Sequence, residues 1–529
     1  MKRFRFYLIL GALILLGGLL GMYLALSHVN PANKYRPVSG KHPLTKEIVF
    51  DFPAPDTKKP EASAPEFPQG SIHGEYVIHF SSRKDYLAYI AALMAAGRQP
   101  LSQIDELLAV RIPSGALLSV NFGSYAGRAS YSYEVQRPLA PIEIDPVALN
   151  SLRGFGAPAR SIVNGTPHGD GSGVIVGILD SGIHTHPQFD NVYIVDIDLV
   201  GGVDTDRGAS HGTAVASIIA GSNGVAPNAE LFVVRVLDDE GKGNSYHVAE
   251  GIVQAVDLGV KVINLSLGVY QDSILLRQAI KYADEKGVLL VAAAGNDSYS
   301  KLPYPAAYEE VLSVTALDAG GSQAVFPNQS KQIDFAAPGV GILVAAGDSG
   351  VDSFSGTSAA APFVSGTLAS LMSGEQAMAP KEAVELLRRY LNDSGAPGAD
   401  PEYGAGALDW VRLRERGTPG ILDIALAGIH LDPAAQPGTN MPIEVTVQNR
   451  GTKWFTEAQL EVLINEADPI GFTIGALGPG QTTTRKVFAQ VPTIDSEQTL
   501  NLAASVLPED LSEDVRLENN LKAVQYRPK

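Results

Sequence analysis

Four short segments are apolar at almost every position: Val174 to Leu179, Leu231 to Val236, Val262 to Leu267 and Val288 to Ala294. A strand with one wet face alternates apolar and polar residues. A strand apolar on both faces has to be covered on both, which is the condition of a parallel sheet between helices. Helical patterns stand between these segments, at His247 to Leu258 and Ser273 to Glu285. From 173 to about 390 the alternation predicts an α/β fold with a doubly wound, mostly parallel sheet. In such sheets functional side chains gather at the carboxyl ends of the strands.

Asp180 stands at such an end, directly before Ser181-Gly182, and Asn296 ends Ala292-Ala293-Ala294-Gly295-Asn296. Two further polar residues open apolar helices. His211 starts a run that reaches Ala220, and Ser358 follows Gly356-Thr357 and precedes Ala359 to Leu371. Each has a structural reading as a turn or cap residue. Together they supply the parts for acyl transfer. His211 would take the proton of Ser358 and return it to the leaving group, while Asp180 holds the tautomer and stabilises imidazolium. Asn296 and the Ser358 amide would donate to the oxyanion. Thr357 reads either as turn geometry or as an auxiliary donor there.

At these positions the chain resembles the subtilisin-family serine endopeptidases. Asp180-Ser181-Gly182, His211-Gly212-Thr213 and Gly356-Thr357-Ser358 stand in the family's order, and the oxyanion asparagine falls on Asn296. Gly224-Val225-Ala226-Pro227, Asn264-Leu265-Ser266-Leu267-Gly268 and Ala337-Pro338-Gly339 are further family-like pieces. The resemblance places peptide-binding walls on Gly241, Lys242 and Gly243 and on Ser266, Leu267 and Gly268, whose backbones would pair with an extended substrate. It departs at Ala214, where the family has a second histidine, and at Pro303, where many relatives have glycine in the floor of the first specificity pocket. No side-chain preference is therefore predicted. The segment Ser222 to Pro227 is too short for the family's high-affinity calcium loop. No cofactor is required, and calcium is not expected at that loop. Asp190, Asp196, Asp198, Asp204 and Asp206 read as a solvated acidic loop or as hard oxygen ligands elsewhere.

The remaining chain divides by composition. Lys2, Arg3 and Arg5 precede an uncharged, mostly apolar run from Phe6 to Ser27. The run is close to the roughly 20 residues that span a bilayer. Residues 1–27 are expected to be a membrane anchor or a signal peptide, with residues 6–27 bringing a membrane partner and the bulk of the chain exported. Residues 28–71 are a proline-rich linker. Residues 72–140 form a small α+β unit resembling the family's inhibitory propeptide. Its strands are expected at Glu75 to Phe80, Leu107 to Pro113 and Tyr131 to Val135, with a helix from Asp85 to Ala96 carrying Tyr86, Tyr89, Ile90 and Met94 among its apolar positions. Residues 141–170 are a turn-rich processing segment, and 171–412 the catalytic domain. Residues 420–529 show the short alternating runs of an antiparallel β-sandwich of the adhesion type, such as Ile443 to Val447.

The expected partners are a protein or peptide substrate and the chain's own propeptide. A formal net charge of -17 over 529 residues argues against nucleic acid. With no cysteine, thiol catalysis and disulfides are excluded. Two other readings fit the sequence less well. An inactive peptide-binding relative would have no chemical need for Asp180, His211, Asn296 and Ser358 together. An esterase of the other α/β type needs the order Ser, Asp, His, whereas this chain runs Asp, His, Ser.

Overall fold

The computed structural model describes residues 67–526 apart from 118, 142–151, 202–209, 433–434, 466, 494–498 and 509–512. The anchor or signal peptide expected at 1–27 lies outside the described residues. The expectation of a transmembrane segment, and of a membrane partner through 6–27, is corrected. Among the described residues no helix is long and apolar enough to cross a membrane.

The first folded unit is a four-stranded sheet under one helix. Strands β1 (Glu75–His79), β2 (Ser102–Ile104), β3 (Ala109–Pro113) and β4 (Arg128–Ser130) lie in the order β2-β3-β1-β4. Helix α1 (Arg83–Ala95) starts at Ser82, whose hydroxyl accepts the Asp85 amide at 3.1 Å. That bond satisfies one of the orphan donors of the first turn. Tyr86, Tyr89, Ile90 and Leu93 form its buried stripe, at the i, i+3, i+4, i+7 spacing of a helix face. Met94 falls beside that stripe and stays exposed, against expectation. The strand expected at Tyr131 to Val135 is also displaced. The pairing strand is β4, and β5 (Glu134–Gln136) leaves this sheet to pair with Lys242–Asn244 of the next domain, where Val135 is fully buried.

The central sheet has seven parallel strands: β7 (Ile175–Asp180), β8 (Ile194–Asp198), β9 (Glu230–Arg235), β11 (Val262–Leu265), β12 (Leu289–Ala293), β13 (Val311–Leu317) and β14 (Phe335–Pro338). Their order is β14-β13-β12-β11-β7-β9-β8. The sheet is thus wound in both directions from β7, and Asp180 closes that strand. Short strand β10 (Lys242–Asn244) is the partner of β5. Helices α2 (Ala159–Val163), α3 (Ser210–Ile219), α4 (Ser245–Asp257), α5 (Ile274–Glu285) and α6 (Thr357–Leu371) surround the sheet, followed by α7 (Pro380–Arg389) and α8 (Trp410–Glu415). Every residue of α6 is buried. Such a helix, apolar nearly all round, belongs in the centre of a large core. A hairpin of β15 (Ile342–Ala346) and β16 (Gly350–Phe354), with β6 (Ala157–Pro158) at its edge, precedes α6.

The C-terminal unit is a sandwich of two antiparallel sheets. One holds β17 (Ile424–Leu431), β18 (Asn440–Asn449) and β21 (Thr482–Gln490). The other runs in the order β20 (Ile470–Ile474), β19 (Ala458–Ile464), β22 (Leu500–Pro508), β23 (Leu521–Tyr526). Met441, Ile443, Val445 and Val447 alternate inward from β18 and share one core with Leu460, Val462, Leu502 and Val506. The unit is joined to the catalytic domain by polar contacts. Arg412 of α8 donates to the carbonyl of Arg450 at 3.1 Å. Arg516 reaches both Glu415 and Asp423 at 2.5 Å.

Candidate active site

The fold brings Asp180, His211, Asn296 and Ser358 to one edge of the sheet. Asp180 is fully buried, and its Oδ1 accepts from its neighbour's amide, Ser181 N, at 2.7 Å. The same oxygen lies 2.8 Å from Nδ1 of His211. A carboxylate only accepts, so the proton of the ring sits on Nδ1 and Nε2 is left as a base. The ring edge of Phe354, at the end of β16, stands 5.4 Å from the imidazole at an interplanar angle of 83°. This contact limits rotation of the His211 ring. No pattern in the sequence from Ile342 to Phe354 marks the hairpin that supplies Phe354.

Ser358 is the second residue of α6, as its sequence position predicts. Its hydroxyl is buried and makes no hydrogen bond, to His211 or to any other group. Catalytic hydrogen bonds of this kind often tighten only in the reacting complex. Pro362 lies inside the same helix. Proline has no amide proton, so the carbonyl four residues back, that of Ser358, loses its helical partner. Ser266 supplies the missing donor through its Oγ at 3.3 Å, and is itself held by Asn264 Nδ2 at 3.0 Å.

Asn296 is oriented from both ends. Its Oδ1 accepts the Thr357 amide at 3.0 Å and the Thr357 hydroxyl at 2.9 Å. The Gly295 amide in turn donates to the Thr357 hydroxyl at 3.1 Å. Of the two readings left open for Thr357, the structure supports a third. It holds the asparagine amide with its Nδ2 outward. That Nδ2 donates to the carbonyl of Leu139 at 2.8 Å.

Leu139 belongs to a segment laid through the cleft as an added strand. Gln136 and Gly268 exchange both backbone hydrogen bonds, at 3.1 and 2.9 Å, and Arg137 N donates to Gly241 O at 2.9 Å. On the other side β5 pairs with β10, with Val135 opposite Gly243 and Gln136 opposite Lys242. The expected walls therefore pair through Gly241, Lys242, Gly243 and Gly268. Ser266 serves the helix carbonyl instead, and Leu267 is buried in the core. Pro303 lies directly under Gly268, where an added Cβ would come within 2.8 Å of it. The Leu139 side chain stays 46% exposed.

Of the acidic residues considered as hard ligands, Asp198 pairs with Arg235 at 2.9 Å, while Asp204 and Asp206 lie outside the described residues. Among the described residues no group of three His, Asp or Glu is placed to hold a metal ion.

The Subtilase family model matches residues 171–406, and the CARDB model matches 424–524. Subtilisin BL of Lederbergia lenta is 36% identical over 252 residues, which cover 45% of this chain and 90% of the relative. The minor extracellular protease Epr of Bacillus subtilis (strain 168) is 32% identical over 256 residues, 45% of this chain and 38% of the relative. Fervidolysin from Fervidobacterium pennivorans has a similar fold over 88% of this chain and 96% of its own, with a TM-score of 0.54 at 19% identity. The chain is a serine-type endopeptidase that works through an acyl-enzyme, and it belongs to the subtilase family.

Proposed function

We propose that Ser358 is the nucleophile of this endopeptidase, that His211 is its base and then its acid, and that residues 72–140 are an inhibitory prosegment whose last strand fills the cleft. Ser358 Oγ attacks a peptide carbonyl as its proton passes to His211 Nε2. Asp180 holds the ring and stabilises its charged form. Asn296 Nδ2 and the Ser358 amide receive the developing oxyanion. Collapse breaks the C–N bond, and the proton on His211 leaves with the amine. Water then attacks the acyl-enzyme by the same route. Side chains and backbone amides suffice for each step, so no cofactor is called for.

The observation that carries this reading is the hydrogen bond from Asn296 Nδ2 to Leu139 O. A carbonyl bound there is one poised for attack, so the bond to be processed is Leu139–Ala140. Ala140 and the segment 141–170 then become the new N-terminal part of the mature chain, ahead of the catalytic domain at 171–412 and the accessory sandwich at 420–529. The enzyme is exported. Its basic and then apolar N-terminus and its extracellular Bacillus relative support this.

The test is to produce the full chain beside Ser358→Ala. Wild type should split, give a new N-terminus at Ala140 and take label from a serine-reactive phosphonate. The variant should remain whole and unlabelled. Equal cleavage and labelling of the two would defeat the assignment.

A further inference from the structure

We propose that the cavity beside His211 is a subsite for a basic side chain, two residues before the residue whose carbonyl is attacked, and that Asp239 and Asp352 select it. The proposal rests on the protease reading of the cleft and adds a substrate class to it.

The cavity has a volume of about 240 Å³. Arg137, His211, Asp239, Val344, Asp352 and Phe354 are among the residues that line it. Arg137 stands two positions before Leu139. Its backbone is held by the bond from Arg137 N to Gly241 O, so the direction of its side chain follows from the strand pairing. The stem of that side chain lies across Gly241. A Cβ on this glycine would fall 2.8 Å from both Cγ and Cδ of Arg137. Gly241 also has φ of +75°, a conformation that L side chains rarely adopt. The wall is thus bare where the arginine stem crosses it. Val344 and Phe354 offer apolar surface to the methylenes, the usual way a long cationic side chain is accommodated.

The charges around the cavity favour a cation. Arg235 is buried and pairs with Asp198 at 2.9 Å and Asp239 at 2.8 Å. Asp352 lies on β16 across the cavity. Two carboxylates, Asp239 and Asp352, thus line the cavity among the described residues. A carboxylate has room for more than one donor, so the pair with Arg235 does not exhaust Asp239. A basic substrate residue brings the balance closer to neutral. A glutamate at the same position would add a third negative charge.

The experiment uses the self-processed full chain and the octapeptide Glu-Val-Gln-Arg-Pro-Leu-Ala-Pro, which is the chain's own sequence from 134 to 141. Two companion peptides carry Ala or Glu in place of Arg. We expect kcat/KM in the order Arg, Ala, Glu, with Arg over Ala by roughly tenfold, the scale of a charge-assisted hydrogen bond. In Asp352→Asn and in Asp239→Asn the Arg-to-Ala ratio should fall towards one. Asp352 lies on an exposed strand, so its variant remains informative if loss of the Arg235 pair disturbs folding of the other. Equal kcat/KM for the three peptides in wild type, or an unchanged ratio in Asp352→Asn, overturns the subsite. Absence of turnover with every peptide overturns the protease reading beneath it, and is distinct from a flat series.

Discussion

His79 in β1 of the N-terminal α+β unit and Gln278 of α5 meet at 3.1 Å, Nδ1 against Oε1, in the interface between that unit and the catalytic domain. The other ring nitrogen of His79 lies 2.5 Å from Ser130 Oγ. Burial of the ring pulls its pKa down to about 4. A second histidine crosses the same interface from the other side. His247 of α4 lies 3.1 Å from a guanidinium nitrogen of Arg111 in β3. Burial first, and the Arg111 charge second, bring it also to about 4. Arginine can only donate, so His247 must present a lone pair to it. Protonation would set two cations against each other.

Docking of the prosegment therefore favours neutral histidines, and its affinity should fall with pH. A free histidine titrates near 6.5. The contribution is present in full above that value and is lost as the pH drops from about 6.5 to about 4. At pH 5 the loss reaches at most roughly 30-fold in affinity for each histidine, the limit in which undocking returns the ring to water. The measurement is the inhibition constant of the cleaved prosegment against its own catalytic domain between pH 7.5 and 4.5. His247→Gln should reduce the slope by about half. A constant that does not move between pH 7 and 5 would remove the argument.

The oxyanion contact gives a second prediction. Asn296→Ala should lower kcat by about 10²- to 10³-fold with KM little changed, the scale for loss of one such donor. Thr357 acts through Asn296 and is a positioning residue. Thr357→Val keeps the backbone donor and removes the hydroxyl that bonds Asn296 Oδ1. Its kcat should fall by a smaller factor, near tenfold, again without a rise in KM. A rise in KM alone would mean that Thr357 shapes substrate binding instead.

Much of this architecture was legible because its residues act locally. The strands β7, β9, β11 and β12 are continuous apolar runs, and such runs admit few environments. Asp180, His211, Asn296 and Ser358 carry their chemistry in their identity and in their place at a strand end or helix start. What escaped depends on partners distant in sequence. Nothing in Glu134-Val135-Gln136 says that its hydrogen-bonding partner is β10, more than a hundred residues on, and local pattern alone keeps it with the nearer strands. The β15–β16 hairpin has an exposed outer strand with Val351 in solvent, and without alternation it gave no signal. Thr357 was seen, but the direction of its hydroxyl is a property of the folded turn.

Ser266 provides a third test, which separates helix integrity from chemistry. Ser266→Ala leaves the Ser358 carbonyl, already without an amide partner because of Pro362, with no donor in the described structure. The expected cost is about 1 kcal/mol of stability, read as a lowered midpoint in urea. The Michaelis constant for the octapeptide should hold, because Gly268 and Gly241 supply the backbone pairing. A variant with unchanged stability would show that another donor serves that carbonyl.

The join between catalytic domain and sandwich gives a fourth. Asp423 is only 1% exposed, and Arg516 Nη1 reaches its Oδ2 at 2.5 Å while Asn519 Nδ2 donates to its Oδ1 at 2.8 Å. Arg516 also spans to Glu415 in α8, so one side chain ties the two units together. Arg516→Ala removes one charged hydrogen bond from Asp423 and leaves it the Asn519 amide and the nearby charges of Arg412 and Arg450, a change that costs about 2 kcal/mol. The expected result is earlier thermal unfolding of the sandwich and faster proteolysis near Ile421. Adding Asp423→Asn removes the buried charge that has lost its direct partner and should restore part of the loss. If the double variant is as unstable as the single one, the stabilisation comes from the contact with Glu415 and not from neutralising Asp423.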